Sequence, residues 1–177
     1  DQKFPAVMLH PAPIKAEKIS DEFILTPSRK PLYDHLNDLL DLRQYRRQER
    51  TSLNKTQLYG GLGGFILEGE PGVGKSKMVV NQLTTQGYTE VTLATPSEQV
   101  PDKAFYCMPA GMQPEVQEQL FKKAFHEGAI VLIDEINSIS LPERLLNELL
   151  MGKISTPQGI EYPKNPGFMV IGTQNPV

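Results

Sequence analysis

Gly69-Glu70-Pro71-Gly72-Val73-Gly74-Lys75-Ser76 fits the spacing G-x-x-x-x-G-K-[ST], a loop built to hold the phosphates of a nucleotide. Such a loop must wrap its backbone N–H groups around the phosphates, which calls for dihedrals and a close approach that a Cβ would obstruct. Lys75 then reaches the β- and γ-phosphates, and the Ser76 hydroxyl takes a place on Mg²⁺. The flanks suit this reading. Phe65-Ile66-Leu67 reads as a short buried strand before the loop, and Ser76 to Gln86 as a helix after it, with its N-terminal dipole aimed at the anion. Lys77, next along, belongs to the same expected nucleotide-binding set. A glycine-rich turn without a ligand is the ordinary alternative, and it leaves the strand and helix on either side unexplained.

Ala129-Ile130-Val131-Leu132-Ile133 is an apolar, β-branched run of the kind that forms a central strand covered on both faces, and it ends in Asp134-Glu135. In an open parallel sheet, ligands gather at the carboxyl ends of the strands, so this acidic pair and the phosphate loop are expected side by side. Asp134 would hold Mg²⁺ through its water shell, and Glu135 would orient or deprotonate the attacking water. The alternative is that both carboxylates merely solvate a strand end before a turn.

A later apolar strand, Phe168-Met169-Val170-Ile171-Gly172-Thr173, runs into Gln174-Asn175-Pro176. Together with the phosphate loop and the Asp-Glu strand end, it resembles the AAA+ ATPase core. Asn175 falls at that family's sensor 1 position. The stretch from Leu145 to Val177 is similar to the MoxR, midasin and dynein-like branch, in which a helix, a hairpin with a central glycine and a strand ending in Thr-Gln-Asn-Pro follow one another. Here these are Leu145 to Leu150, Ile154 to Tyr162 around Gly159, and Gly172 to Pro176. Ala104 to Gly128 also resembles the branch, which implies a small hairpin interrupting the helix before the acidic strand. The resemblance covers about residues 55 to 177 and implies an α/β, three-layer P-loop domain. In it the Asn175 strand lies between the strand before the phosphate loop and the strand ending in Asp134. It further implies that Leu58, Tyr59 and Gly60 lie near the base, although Tyr59 packed on the core is an equal reading. The family's arginine finger, last core strand and helical lid cannot be assigned in this chain. The sequence also opens on Asp1, so it is expected to be an excised piece of a larger protein.

The 39% hydrophobic and 22% charged content is ordinary for a globular chain, and 177 residues suit one domain with an N-terminal appendage. A net charge of −3 offers no global attraction to nucleic acid or an acidic membrane. With Cys107 alone and only His10, His35 and His126, no intramolecular disulfide and no zinc-ligand cluster are expected. Cys107 reads as a core-packing cysteine. The absence of a long apolar stretch or a signal-peptide pattern makes the cytoplasm the expected compartment.

Residues 1–54 are expected to form an extended, proline-broken segment, with a strand at Glu22 to Thr26 and an amphipathic helix from Leu32 to about Arg50. Residues 55–177 are expected to form the partial nucleotide-binding core. Arg43, Arg46, Arg47 and Arg50 cluster in that helix, either to suit its C-terminal dipole or to touch a neighbouring subunit or a phosphate. Glu90 to Ala94 reads as a strand and Pro114 to Glu127 as a helix stopped by Gly128. Ser140-Leu141-Pro142-Glu143 reads as a capping box opening a helix that ends at Gly152. The expected function is ATP binding with Mg²⁺ and hydrolysis by a ring-forming, chaperone-like remodelling protein, acting with neighbouring subunits on an unknown protein substrate. Lys75, Glu135 and Asn175 are the expected catalytic residues. A nucleotide-binding interaction module with weak hydrolysis, or a GTP-using relative, stays open.

Overall fold

The apolar run after Gly128 becomes a strand buried along its whole length, β4 (Ile130–Ile133), and the sheet is arranged around it. The computed structural model describes residues 30–48, 64–68, 75–136 and 139–174. In chain order the other elements are α1 (Lys30–Gln48), β1 (Gly64–Glu68), α2 (Lys75–Thr85), β2 (Thr89–Glu90), a 3-10 turn (Ser97–Gln99), β3 (Ala104–Met108) and α3 (Pro114–Glu127) before β4. After it come α4 (Glu143–Met151), β5 (Ile154–Thr156), β6 (Gly159–Glu161) and β7 (Met169–Gln174). Five strands pair in the order β1-β7-β4-β3-β2, all parallel, so β7 lies between β1 and β4 as the resemblance implies. β5 and β6 form a separate antiparallel hairpin, with Gly159 at φ +125° where its turn closes.

Alternation along the strands sorts the core into two layers, one on each face of the sheet. Phe105, Ile130, Leu132, Met169 and Ile171 face α1 and α2, packing on Leu36, Leu39, Leu40, Met78, Val79 and Leu83. Tyr106, Met108, Val131, Ile133 and Val170 face the other way, onto Leu120, Phe121, Ala124 and Phe125 of α3 and Leu149 and Leu150 of α4. The result is a three-layer α/β domain. Gly128, at φ +71°, ends α3 in the left-handed conformation expected of a C-terminal glycine, and Gly152 does the same for α4 at φ +85°.

Several expectations are corrected. No hairpin interrupts the segment before β4. Residues 104–108 are a core strand and α3 is one unbroken helix. The alternating fit of Phe105 to one layer and Tyr106 and Met108 to the other is what holds that stretch in the sheet. The strand expected at 90–94 stops at Glu90, because Thr92 closes a local turn. The Thr95 amide donates to the Thr92 carbonyl at 2.9 Å, and the Ala94 amide to the Thr92 hydroxyl at 3.2 Å. The capping box does not form. α4 begins at Glu143 with Pro142 at its N-cap, so Ser140 is not the N-cap and Glu143 is not at the third helical position that a box requires; the Ser140 amide donates to Gln117 Oε1 at 2.8 Å instead.

α1 forms over nearly the expected span, with Leu36, Leu39 and Leu40 buried and Leu42 exposed. Neither expectation for its arginines describes Arg43, which is fully buried. Arg43 Nε donates to the Gly167 carbonyl at 3.0 Å, Nη2 to the Gly128 and Asp102 carbonyls at 2.6 and 2.8 Å, and Nη1 to Tyr88 Oη and Gln44 Oε1 at 3.1 and 2.8 Å. Five N–H groups meet five oxygens, so the guanidinium is buried without an unmet donor. Burial lowers its pKa to about 10, with Tyr88 opposing, which leaves it charged at neutral pH. Arg47 adds a bond to the Pro166 carbonyl at 2.6 Å and a pairing with Asp102 at 2.9 Å. α1 is therefore tied to the loops that enter β3, β4 and β7. The strand expected at Glu22 to Thr26 lies outside the described residues.

Candidate functional site

Two chain features meet at the carboxyl ends of the strands. α2 begins at Lys75, directly after the glycine-rich loop, and β4 ends just before Asp134. The backbone ladder carries past β4, since the Asp134 amide donates to the Met108 carbonyl at 2.9 Å. Asp134 shares its strand parity with Ile130 and Leu132, which points it towards α2. There the Ser76 hydroxyl donates to Asp134 Oδ1 at 3.0 Å. Lys75 is 7% exposed, unusually low for a lysine, and Lys77 is exposed.

Thr173 joins the pair. Ile133 is level with Gly172 in the β4–β7 register, so the next level sets Asp134 opposite Thr173. Thr173 Oγ1 lies 3.2 Å from Asp134 Oδ1 and 3.3 Å from Ser76 Oγ. The Glu135 amide donates to the same oxygen at 3.2 Å. Thr173 is 2% exposed. Its signal in the sequence was a hydroxyl at the end of an otherwise apolar strand, with the parity of Met169 and Ile171.

Glu135 has φ +62°, a left-handed conformation costly for a residue with a Cβ. That conformation breaks the strand parity, so Glu135 does not simply follow Ile133 into the α3 layer. The chain then turns back over β7, where Ile136 packs on Gly172. A Cβ on Gly172 would meet Ile136 Cδ1 at 2.6 Å.

Of the residues expected at the site, the structure brings together Ser76, Asp134 and the Glu135 backbone, with Lys75 at the start of the same helix. Gly69, Glu70, Pro71, Gly72, Val73 and Gly74 lie outside the described residues, as do Tyr59 and Asn175. The Asn175 strand is described as far as Gln174. The donors present are hard oxygens, one hydroxyl and one carboxylate. That fits Mg²⁺, which takes one or two carboxylates and fills its remaining positions with water and phosphate oxygens. Among the described residues no cluster of three or more His, Cys, Asp or Glu offers a transition-metal site, and no helix is long and apolar enough to cross a membrane.

Comparison with known proteins agrees with this geometry. Residues 64–177 match the AAA domain (dynein-related subfamily). The chain is also similar to midasin of Giardia intestinalis, at 31% identity over 156 residues, which is 82% of this chain and 3% of that protein. On the sheet order, the strand-end site and both matches, the chain belongs to the AAA family, in its dynein-related subfamily.

Proposed function

We propose that this domain binds ATP with Mg²⁺ and hydrolyses it. The observation that carries the reading is the 3.0 Å contact of Ser76 with Asp134, which joins the residue ending the phosphate-loop motif to the acidic end of a central strand. The two lie 58 positions apart in sequence, so the fold alone brings them into contact.

Residues Gly69 to Ser76 cradle the phosphates, and Lys75 neutralises their charge at the positive end of α2. Ser76 and Asp134 hold the Mg²⁺, which when bound offsets charge on the phosphoryl oxygens. Glu135 orients the attacking water and accepts its proton. Asn175, one residue beyond the described end of β7, serves as the sensor of the γ-phosphate, and Tyr59 contributes to the base pocket. The AAA family supports nucleotide use in general; ATP as the preferred base and hydrolysis as the outcome are our reading.

The whole protein is proposed to be a ring-forming remodelling ATPase, with neighbouring subunits as partners and a protein substrate. The chain spans 3% of the length of the midasin relative it matches, so these properties belong to an assembly far larger than the domain.

Calorimetry and turnover on wild type, Lys75→Ala and Glu135→Gln test the domain-level reading. Lys75→Ala is expected to lose ATP binding, because the phosphates lose a buried point charge. Glu135→Gln is expected to keep binding and lose at least about a hundredfold in turnover, the usual scale of a general base. Undiminished affinity in Lys75→Ala would refute the phosphate site, and parental turnover in Glu135→Gln would refute hydrolysis through that carboxylate.

A further inference from the structure

We propose that Thr173 is a positioning residue of the nucleotide site, setting the oxygens of Ser76 and Asp134 and the backbone of Glu135 through one hydroxyl. The inference rests on the ATP–Mg²⁺ reading of that site. It concerns a residue that touches neither nucleotide nor water in that reading and acts through the three that do.

The hydroxyl group has one hydrogen and two lone pairs, and its surroundings can use all three. The Glu135 amide occupies one lone pair at 3.2 Å. The hydrogen has two acceptors in reach, Asp134 Oδ1 at 3.2 Å and the Ile133 carbonyl at 3.4 Å. The carboxylate is both nearer and charged, so it takes the hydrogen. That leaves one lone pair, with Ser76 Oγ 3.3 Å away.

Ser76 now gives its hydrogen to Asp134 at 3.0 Å. A lone pair of Ser76 Oγ can turn towards a cation while its hydrogen stays on Asp134 Oδ1, and Thr173 donates to that same carboxylate oxygen. The buried Thr173 hydroxyl thus holds Asp134 Oδ1 beside Ser76 Oγ and keeps the carboxylate aligned. It also holds the Glu135 amide, so the left-handed turn that sets the direction of Glu135 is tied to the same atom.

Asn175, two residues further along the chain, carries the expected sensor role. Thr173 is a separate residue, buried among Ser76, Asp134 and the Ile133 carbonyl. The prediction is therefore about Mg²⁺ dependence, and a side chain that merely filled space would not produce it.

The test is ATP affinity by calorimetry, with Mg²⁺ and with EDTA, on wild type, Thr173→Val and Thr173→Ser. Valine keeps the shape without the hydroxyl, and serine keeps the hydroxyl. Thr173→Val is expected to lose at least about tenfold of the affinity that Mg²⁺ adds, the equivalent of one charge-assisted hydrogen bond, while its affinity in EDTA stays near wild type. Thr173→Ser is expected to restore most of the Mg²⁺ increment. Thr173→Ala repeats the reading should the valine variant fail to fold. A full Mg²⁺ increment in Thr173→Val overturns the proposal. So does an equal loss with and without Mg²⁺ that serine fails to rescue, since that marks a packing residue. If wild type itself binds no ATP in either condition, the nucleotide reading fails first and the role of Thr173 falls with it.

Discussion

Cys107 illustrates how position in the sheet decides the chemistry of one side chain. It sits on β3, partly buried among core residues, and its thiol is pushed up from 9.0 to about 12, first by burial and then by the nearby Glu90 carboxylate. The thiol form is thus favoured in the folded state. Because the folded pKa lies above the unfolded one, the associated stability is present in full below pH 9 and declines as pH rises towards 12. At pH 8 the native protein is expected to react with a thiol-specific disulfide reagent at least about tenfold more slowly than the urea-unfolded chain. Equal rates in the two states would show that Cys107 is not shielded as described. Glu135 is the opposite case, a residue whose backbone accepts a costly φ of +62° at the point where the proposed chemistry needs a carboxylate.

α1 shows how an element is held by something other than its apolar stripe. Its buried leucines Leu36, Leu39 and Leu40 seat it on α2 and the sheet, each contributing about 1.5–3 kcal/mol relative to exposure. They do not fix where along the sheet it stops. Arg43 does, by reaching the carbonyls of Asp102, Gly128 and Gly167 in three separate connections. The close fit is visible at Gly167, where an added Cβ would meet Arg43 Nε at 2.9 Å. Arg43→Lys keeps the charge but has three donors at one point instead of a fork of five, so at least some of these buried carbonyls lose their partner. We expect a loss of about 2–4 kcal/mol in urea denaturation at neutral pH, the scale of charged hydrogen bonds broken in the interior. A denaturation midpoint unchanged from wild type would mean that the leucines alone hold the helix.

At the scale of the molecule, the proposed nucleotide site lies between layers and belongs to no single element. Ser76 comes from α2, Asp134 and Glu135 from the end of β4, and Thr173 from β7. A ligand that bridges them stabilises the folded chain by mass action, because the unfolded chain has no such site. With free Mg²⁺·ATP at a hundred times its Kd, the gain is expected to be about 2.7 kcal/mol, seen as a rise in Tm. Lys75→Ala should abolish the rise, and EDTA should reduce it in wild type. A Tm insensitive to ATP in wild type, with Mg²⁺ present, would contradict a site assembled from these three elements.

The sequence alone determined what depends on neighbouring residues. The phosphate-loop spacing, the apolar strand ending in Asp134-Glu135, the α3 span and the glycines that end α3 and α4 are all local patterns, set by backbone geometry and helical or strand period. The resemblance carried by Thr173-Gln174-Asn175-Pro176 added the sheet order, which the pairing of β7 with both β1 and β4 bears out. Only the tertiary structure decided the partners of Arg43 and the place of Thr173. Arg43 lies 124 positions from Gly167, and Thr173 lies 97 positions from Ser76. No period along the chain encodes such contacts. They follow from the register between strands and from which loops the packed helices bring within reach, and both exist only once the two core layers have closed on the sheet.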